Sequence, residues 1–183
     1  MKTLEEIIQM FPSTEKEKWS QHSNGNGWVY ITAKVSPLAF IEGVVFGDAR
    51  VSGDARVSGD AQVSGNALVS GDAQVSGDAQ VSGSARVYGI AWVYGNAQVS
   101  GIAWVYGSAW VSGDVWKTSP LYIQGSKHSA SNVKYGSIAI GCEVHTFAEW
   151  LEQYKAIGKA AGYNEEQIEE YKAIIDLFVK VGR

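Results

Sequence analysis

A chain of 183 residues with a formal net charge of −4 and a pI near 5.4 lacks the basic excess expected of a nucleic-acid-polymer binder. It contains no run of about 18 apolar residues to cross a membrane, and its single cysteine, Cys142, cannot close an internal disulfide. These features point to a cytoplasmic protein without a membrane partner, and they leave a small anionic ligand open.

Met1-Lys2-Thr3-Leu4-Glu5-Glu6 opens an amphipathic helix rather than a signal peptide. Thr3 stands three before Glu6, the capping-box spacing that satisfies orphan amides at a helix start. Residues 1–26 are therefore expected to form an N-terminal helix and cap. From residue 27 the chain repeats a triplet of small, outward and aliphatic residues: Gly27-Trp28-Val29, Ala33-Lys34-Val35, Ala39-Phe40-Ile41. Ile41 stands only four positions before Val45, so a first coil over residues 27–44 joins the following array through a two-residue slip.

From Val45 to Val111 a valine occupies every sixth position. Two positions before it sits a small residue and two after it a glycine, as in Gly53-Asp54-Ala55-Arg56-Val57-Ser58-Gly59. Residues i and i+2 share one face of a strand, so each unit reads as one very short strand and one turn. Three units, 18 residues, make a triangular coil, and stacked coils pair in parallel at roughly 4.8 Å. Valines and alanines then form an interior ladder. The regular array spans 43–116 and an irregular interval spans 117–135. Gly136-Ser137-Ile138 and Cys142-Glu143-Val144 resume the triplet in a last partial coil, which puts Cys142 in an inward, buried slot. Residues 145–183 carry two further capping boxes, Thr146 with Glu149 and Asn164 with Gln167. With helical apolar spacing and Gly162 at the break, they predict a C-terminal helical hairpin.

With the interior committed to packing, function falls to the outward positions. Sorting the residue before each valine by 18 gives three faces: Arg50, Leu68, Arg86, Trp104; Arg56, Gln74, Trp92, Trp110; and Gln62, Gln80, Gln98, Trp116. Tyr88, Tyr94 and Tyr106 follow the valines of the same later coils. The solenoid is polarised into an Arg/Gln half and an aromatic half, and so much exposed indole requires cover. Subunit association and a ligand cleft both supply it, because Trp and Tyr anchor interfaces and stack on flat ligands. The ligand-binding candidates are Arg86, Tyr88, Trp92, Tyr94, Trp104, Tyr106, Trp110 and Trp116. No metal or cofactor is expected: the aspartates Asp54, Asp72, Asp60 and Asp78 lie beside glycine, as turn residues do.

The aliphatic residue at every sixth position, with a small residue two before it, resembles the left-handed parallel β-helix of the hexapeptide-repeat families. That resemblance implies a mainly β solenoid and homotrimers whose clefts bind ligands. It also implies an alternative, an acyltransferase with a histidine base, for which His128 in Gly125-Ser126-Lys127-His128-Ser129 is the candidate; His22 and His145 have no assigned role. The segments His22-Ser23-Asn24-Gly25-Asn26-Gly27-Trp28-Val29, Val35 to Ile41, Ile140 to Thr146 and Glu149-Trp150-Leu151 further resemble small hexapeptide-repeat proteins of bacteriophages and prophages. This implies action in the host cytoplasm, either as a structural phage component or as a non-enzymatic anti-defence sponge. The sponge would hold a small ligand such as a nucleotide immune signal in aromatic intersubunit clefts.

Overall fold

A computed structural model describes residues 2–182. The chain divides into two compact units, Met1–Ser108 with Ser112–Ser119, and Ala109–Val111 with Pro120–Arg183.

The first unit is a parallel β-helix of about five coils, preceded by a short helix. Helix α1 (Leu4–Met10) starts at the expected capping box, with Thr3 N–H donating to Glu6 Oε2 at 2.6 Å and Glu6 N–H to Thr3 Oγ1 at 3.3 Å. A strand not foreseen from sequence, Trp19–Gln21, then pairs antiparallel with Trp28–Tyr30. It occupies the free edge that the first coil would otherwise expose. Ile7, Trp19 and Val44 are buried beneath it, with Phe11, Trp28 and Phe46 packed around them. The two indole N–H groups there are bonded, Trp19 to Thr14 Oγ1 at 2.9 Å and Trp28 to the Lys2 carbonyl at 2.8 Å.

Most strands of the coils are two residues long, one pointing out and one in. The small and aliphatic columns are fully buried, from Ala49 and Val51 to Ala103 and Val105. From Arg50 to Arg86 each outward residue's backbone N–H reaches the alanine carbonyl one coil on, as in Arg50 to Ala67, Arg56 to Ala73 and Gln62 to Ala79, each at 2.9 Å. Valine pairs with valine at an offset of 18, as in Val45 with Val63 and Val63 with Val81. The first coil is two residues shorter, as its sequence predicts: Val29 pairs with Val45, Val35 with Val51 and Ile41 with Val57. Corners turn through glycine. Gly65, at φ +64°, would set a Cβ 3.0 Å from the Gly83 nitrogen, so both its conformation and the closeness of the next coil exclude a side chain.

At the far end of this unit the register slips by one. Val99 pairs with Trp116, 17 residues on, and Gln98 with Val115. Asp114, at φ +55°, marks the irregular turn that precedes the slip. Trp116 therefore takes the inward valine slot, fully buried, while Val115 points outward at 44% exposure. This corrects the expectation that Trp116 stands on an outward face.

The second unit holds a four-stranded antiparallel sheet, in chain order Tyr122–Gln124, Ser129–Lys134, Ser137–Ile140 and Glu143–Thr146. This replaces the expected irregular interval over 117–135 and last partial coil. A four-residue strand plus a two-residue hairpin loop also repeats every six residues, so the triplets at Gly136 and Cys142 imitate the solenoid's period. Gly136 (φ +75°) and Gly141 (φ +60°) instead make tight hairpin turns. Cys142 lies in the second of them and is exposed, not buried. The C-terminal hairpin forms as predicted, from α2 (Phe147–Ala160) and α3 (Glu165–Val181), with both capping boxes in place and Gly162 at φ +70°. Trp150, Tyr171, Ile175 and Phe178 are buried against Ile138 and Ile140 of the sheet. Among the described residues no helix is long and apolar enough to cross a membrane.

Candidate ligand-binding surface

The parallel register converts the 18-residue columns into surfaces. On one face of the first unit Lys34, Arg50, Leu68, Arg86 and Trp104 stand in a continuous ladder. Arg86 lies with its guanidinium 5.1 Å from the centre of the Trp104 ring, a cation–π arrangement. Tyr88 stacks on Tyr106 with centroids 5.6 Å apart and planes 15° from parallel, and meets Trp104 edge-on at 6.3 Å. Four of the expected site residues thus form one cluster. Trp104 is 44% exposed, and Ile102, two positions before it at the corner, is 73% exposed. Packing inside the unit leaves this much apolar surface facing outward.

The ladder continues into a groove of about 330 Å³ lined by Asp48, Arg50, Asn66, Leu68, Ser84 and Arg86. Arg50, Leu68 and Arg86 are the outward column, while Asp48, Asn66 and Ser84 are the corner column two positions earlier. Arg50 and Arg86 are two rungs apart, roughly 10 Å by strand spacing, so the groove has a cationic group towards each end and Leu68 between them. Sequence reasoning placed Arg50 and Leu68 on this face without assigning them to a site. The signal that finds the corner column is the same 18-residue sort, applied to the residue three before each valine.

On a second face Phe40, Arg56, Gln74 and Trp92 are in register. Trp92 packs on Tyr94 at 4.8 Å and its indole N–H donates to Ser76 Oγ at 2.9 Å. Both rings are half-buried. The third face is the polar ladder Gln62, Gln80 and Gln98, closed by Val115 rather than by an aromatic residue. Trp110 falls in the second unit, half-buried, with its backbone N–H on Ser131 Oγ at 3.3 Å. The eight candidates therefore separate into a group of four, a pair, Trp110, and the interior Trp116.

The histidines divide as well. His22 is bonded within its own turn, Asn24 N–H donating to its Nδ1 at 3.3 Å. His128 and His145, 17 residues apart in sequence, both line a cavity of about 400 Å³ inside the second unit. Among the described residues no group of three or more His, Cys, Asp and Glu side chains is placed to hold a metal ion.

A family model described as the YdcK beta solenoid repeat matches residues 49–61, 61–77 and 73–89. All three segments lie in the regular coils of the first unit and include Arg50, Leu68 and Arg86. No curated protein sequence and no solved structure matches the chain.

Proposed function

We propose that this β-solenoid protein is a non-enzymatic binder of a small planar anion, held on the Arg86–Trp104 face and sequestered there. The arrangement of Arg86 over Trp104, beside the Tyr88–Tyr106 stack and opening into a groove with a second arginine, carries the reading. An exposed indole offers a flat π face to a nucleobase, an interaction worth roughly 1–3 kcal/mol per base. A guanidinium offers a bidentate fork to phosphate, and Asp48 and Ser84 supply acceptors for sugar hydroxyls. A nucleotide combines these groups, and the roughly 10 Å between Arg50 and Arg86 suits one with two anionic groups.

The protein acts on this reading as a sponge for a nucleotide signal, consistent with its resemblance to phage-encoded repeat proteins. It does so as a homotrimer, in which Ile90, 61% exposed, and Ile102 become covered and the faces are brought together as clefts. Calorimetric titration with cyclic dinucleotides and ADP-ribose tests the ligand. Wild-type protein binds at least one of them, Trp104→Ala weakens binding about tenfold or more, and Arg86→Ala weakens it with loss of salt dependence. Native mass spectrometry reads the assembly. A panel with no ligand, or a monomer at micromolar concentration, refutes the corresponding half of the proposal.

A further inference from the structure

We propose that the second unit carries a separate site, for a neutral and largely apolar ring compound, in the cavity between its antiparallel sheet and its helix pair. The cavity measures about 400 Å³, within the range of small-molecule pockets. Its walls are aliphatic at Ile157, Ile168 and Ile175 and aromatic at Trp150, Tyr154 and Tyr163. Gly158 gives it depth, since a Cβ there would meet Ile168 Cγ1 at 3.0 Å.

The strongest donors of the walls are turned to the protein. Trp150 gives its indole N–H to the Ile138 carbonyl at 2.9 Å. Tyr171 gives its hydroxyl to the His128 carbonyl at 2.7 Å and accepts the Lys127 backbone N–H at 3.1 Å. Burial raises the Tyr163 pKa above the ordinary value and keeps that phenol neutral. The space is thus faced by ring and aliphatic surface, which favours a ligand that gains by leaving water. An ionised group held there would give up its hydration without a partner, and that cost outweighs the apolar gain.

The charges around the cavity select neither sign. Lys127 Nζ donates to the Ala161 and Gly162 carbonyls at 2.9 and 3.2 Å and stands 4.6 Å from the centre of the Tyr163 ring. Lys172, paired with Asp176, and the exposed Lys155 stand 5.7 and 5.8 Å from the centre of the Tyr154 ring. Both tyrosine rings therefore already hold a cation, and a cationic ligand would meet like charge. An anion fares no better. Glu143, the carboxylate among the lining residues, is engaged with His145 Nε2 at 3.3 Å, and Glu170, near Tyr163, accepts the Ser126 backbone N–H at 2.8 Å. Three lysines are matched by Glu143, Glu170 and Asp176, so the surroundings carry no excess of either charge. The site shares no residue with the Arg86–Trp104 face and stands or falls independently of it.

Cys142 is exposed, lines the cavity and is the single cysteine of the chain, so its alkylation by N-ethylmaleimide reports on this cavity alone. Three probes of one shape test the assignment on the full chain at neutral pH: naphthylethanol, naphthylethylamine and naphthylacetate. By calorimetry the alcohol is expected to bind about tenfold or more tightly than either charged analogue, and to slow Cys142 alkylation in proportion to occupancy. Ala160→Trp and Ala161→Trp, each at an exposed lining position, should both weaken the alcohol about tenfold or more while the circular dichroism stays unaltered. Failure of the alcohol to bind, equal or tighter binding of the amine or the acetate, binding that leaves Cys142 alkylation unchanged, or undiminished binding to both folded tryptophan variants would each overturn the assignment.

Discussion

Replacing Trp116 by alanine should be among the most damaging single changes in the first unit, and the adjacent Val115→Ala among the mildest. Trp116 is fully buried in a valine slot and its Nε1–H donates to the Gly113 carbonyl at 3.2 Å. A buried indole removes about 200 Å² from water, worth about 5 kcal/mol at roughly 25 cal/mol per Å². Alanine keeps only a small part of that, so the truncation should cost about 4 kcal/mol, within the range of Trp→Ala core substitutions. The lost hydrogen bond adds up to about 1 kcal/mol. Val115, 44% exposed, forfeits only part of two methyl-sized groups, about 1 kcal/mol or less. Urea unfolding followed by far-ultraviolet circular dichroism gives both differences by linear extrapolation. If Val115→Ala is the costlier of the two, the 17-residue slip is wrong and the unbroken 18-residue register holds to the end of the array.

Two further outcomes follow from local geometry. Gly65→Ala and Gly95→Ala enter the same left-handed conformation (φ +64° in each), but a Cβ at Gly95 meets nothing within 4 Å while one at Gly65 meets the Gly83 backbone. Both should lose roughly 1–2 kcal/mol for the conformation, and Gly65→Ala measurably more; equal melting temperatures for the two variants would contradict the close approach of the coils. At the start of α2 the hydrogen bonds from the Thr146 backbone N–H and hydroxyl hold Glu149 below the ordinary carboxylate value of 4.5. A depressed folded-state pKa contributes stability that is present above that value and lost as pH falls through the folded one. The difference in melting temperature between wild type and Glu149→Ala should therefore shrink on acidification below about pH 4.5. A constant difference would remove the cap's carboxylate from the account.

The solenoid was legible because its period is a packing requirement: every valine and every alanine of the regular coils had only one direction to point. The two-residue shortening of the first coil was equally readable, since Ile41 and Val45 flank it on both sides with correct residues. The slip at Trp116 was not, because Val115-Trp116 offers an apolar residue in both registers and the choice rests on the Asp114 turn. The antiparallel sheet after Pro120 was hidden by a numerical coincidence, a hairpin repeat of six residues. Of the proposed surface, sequence columns placed Arg86 with Trp104 correctly, whereas the stacking of Tyr88 on Tyr106 depends on side-chain directions that periodicity does not specify. The cavity around Glu143 brings together a hairpin and two helices whose packing no spacing rule foretells.

The equal length of the inner coils makes the distance from the N-terminal cap to Trp116 a heritable quantity with discrete values. Adding or removing 18 residues between Val45 and Val99 preserves every valine-on-valine pairing. Each such event changes the shaft by one rung, roughly 4.8 Å, and changes the separation of Arg50 and Arg86 by the same step when it falls between them. The 16-residue offset at one end and the 17-residue offset at the other do not match the inner repeat. The reach of the charged groups can thus change only in whole rungs while both terminal junctions stay fixed.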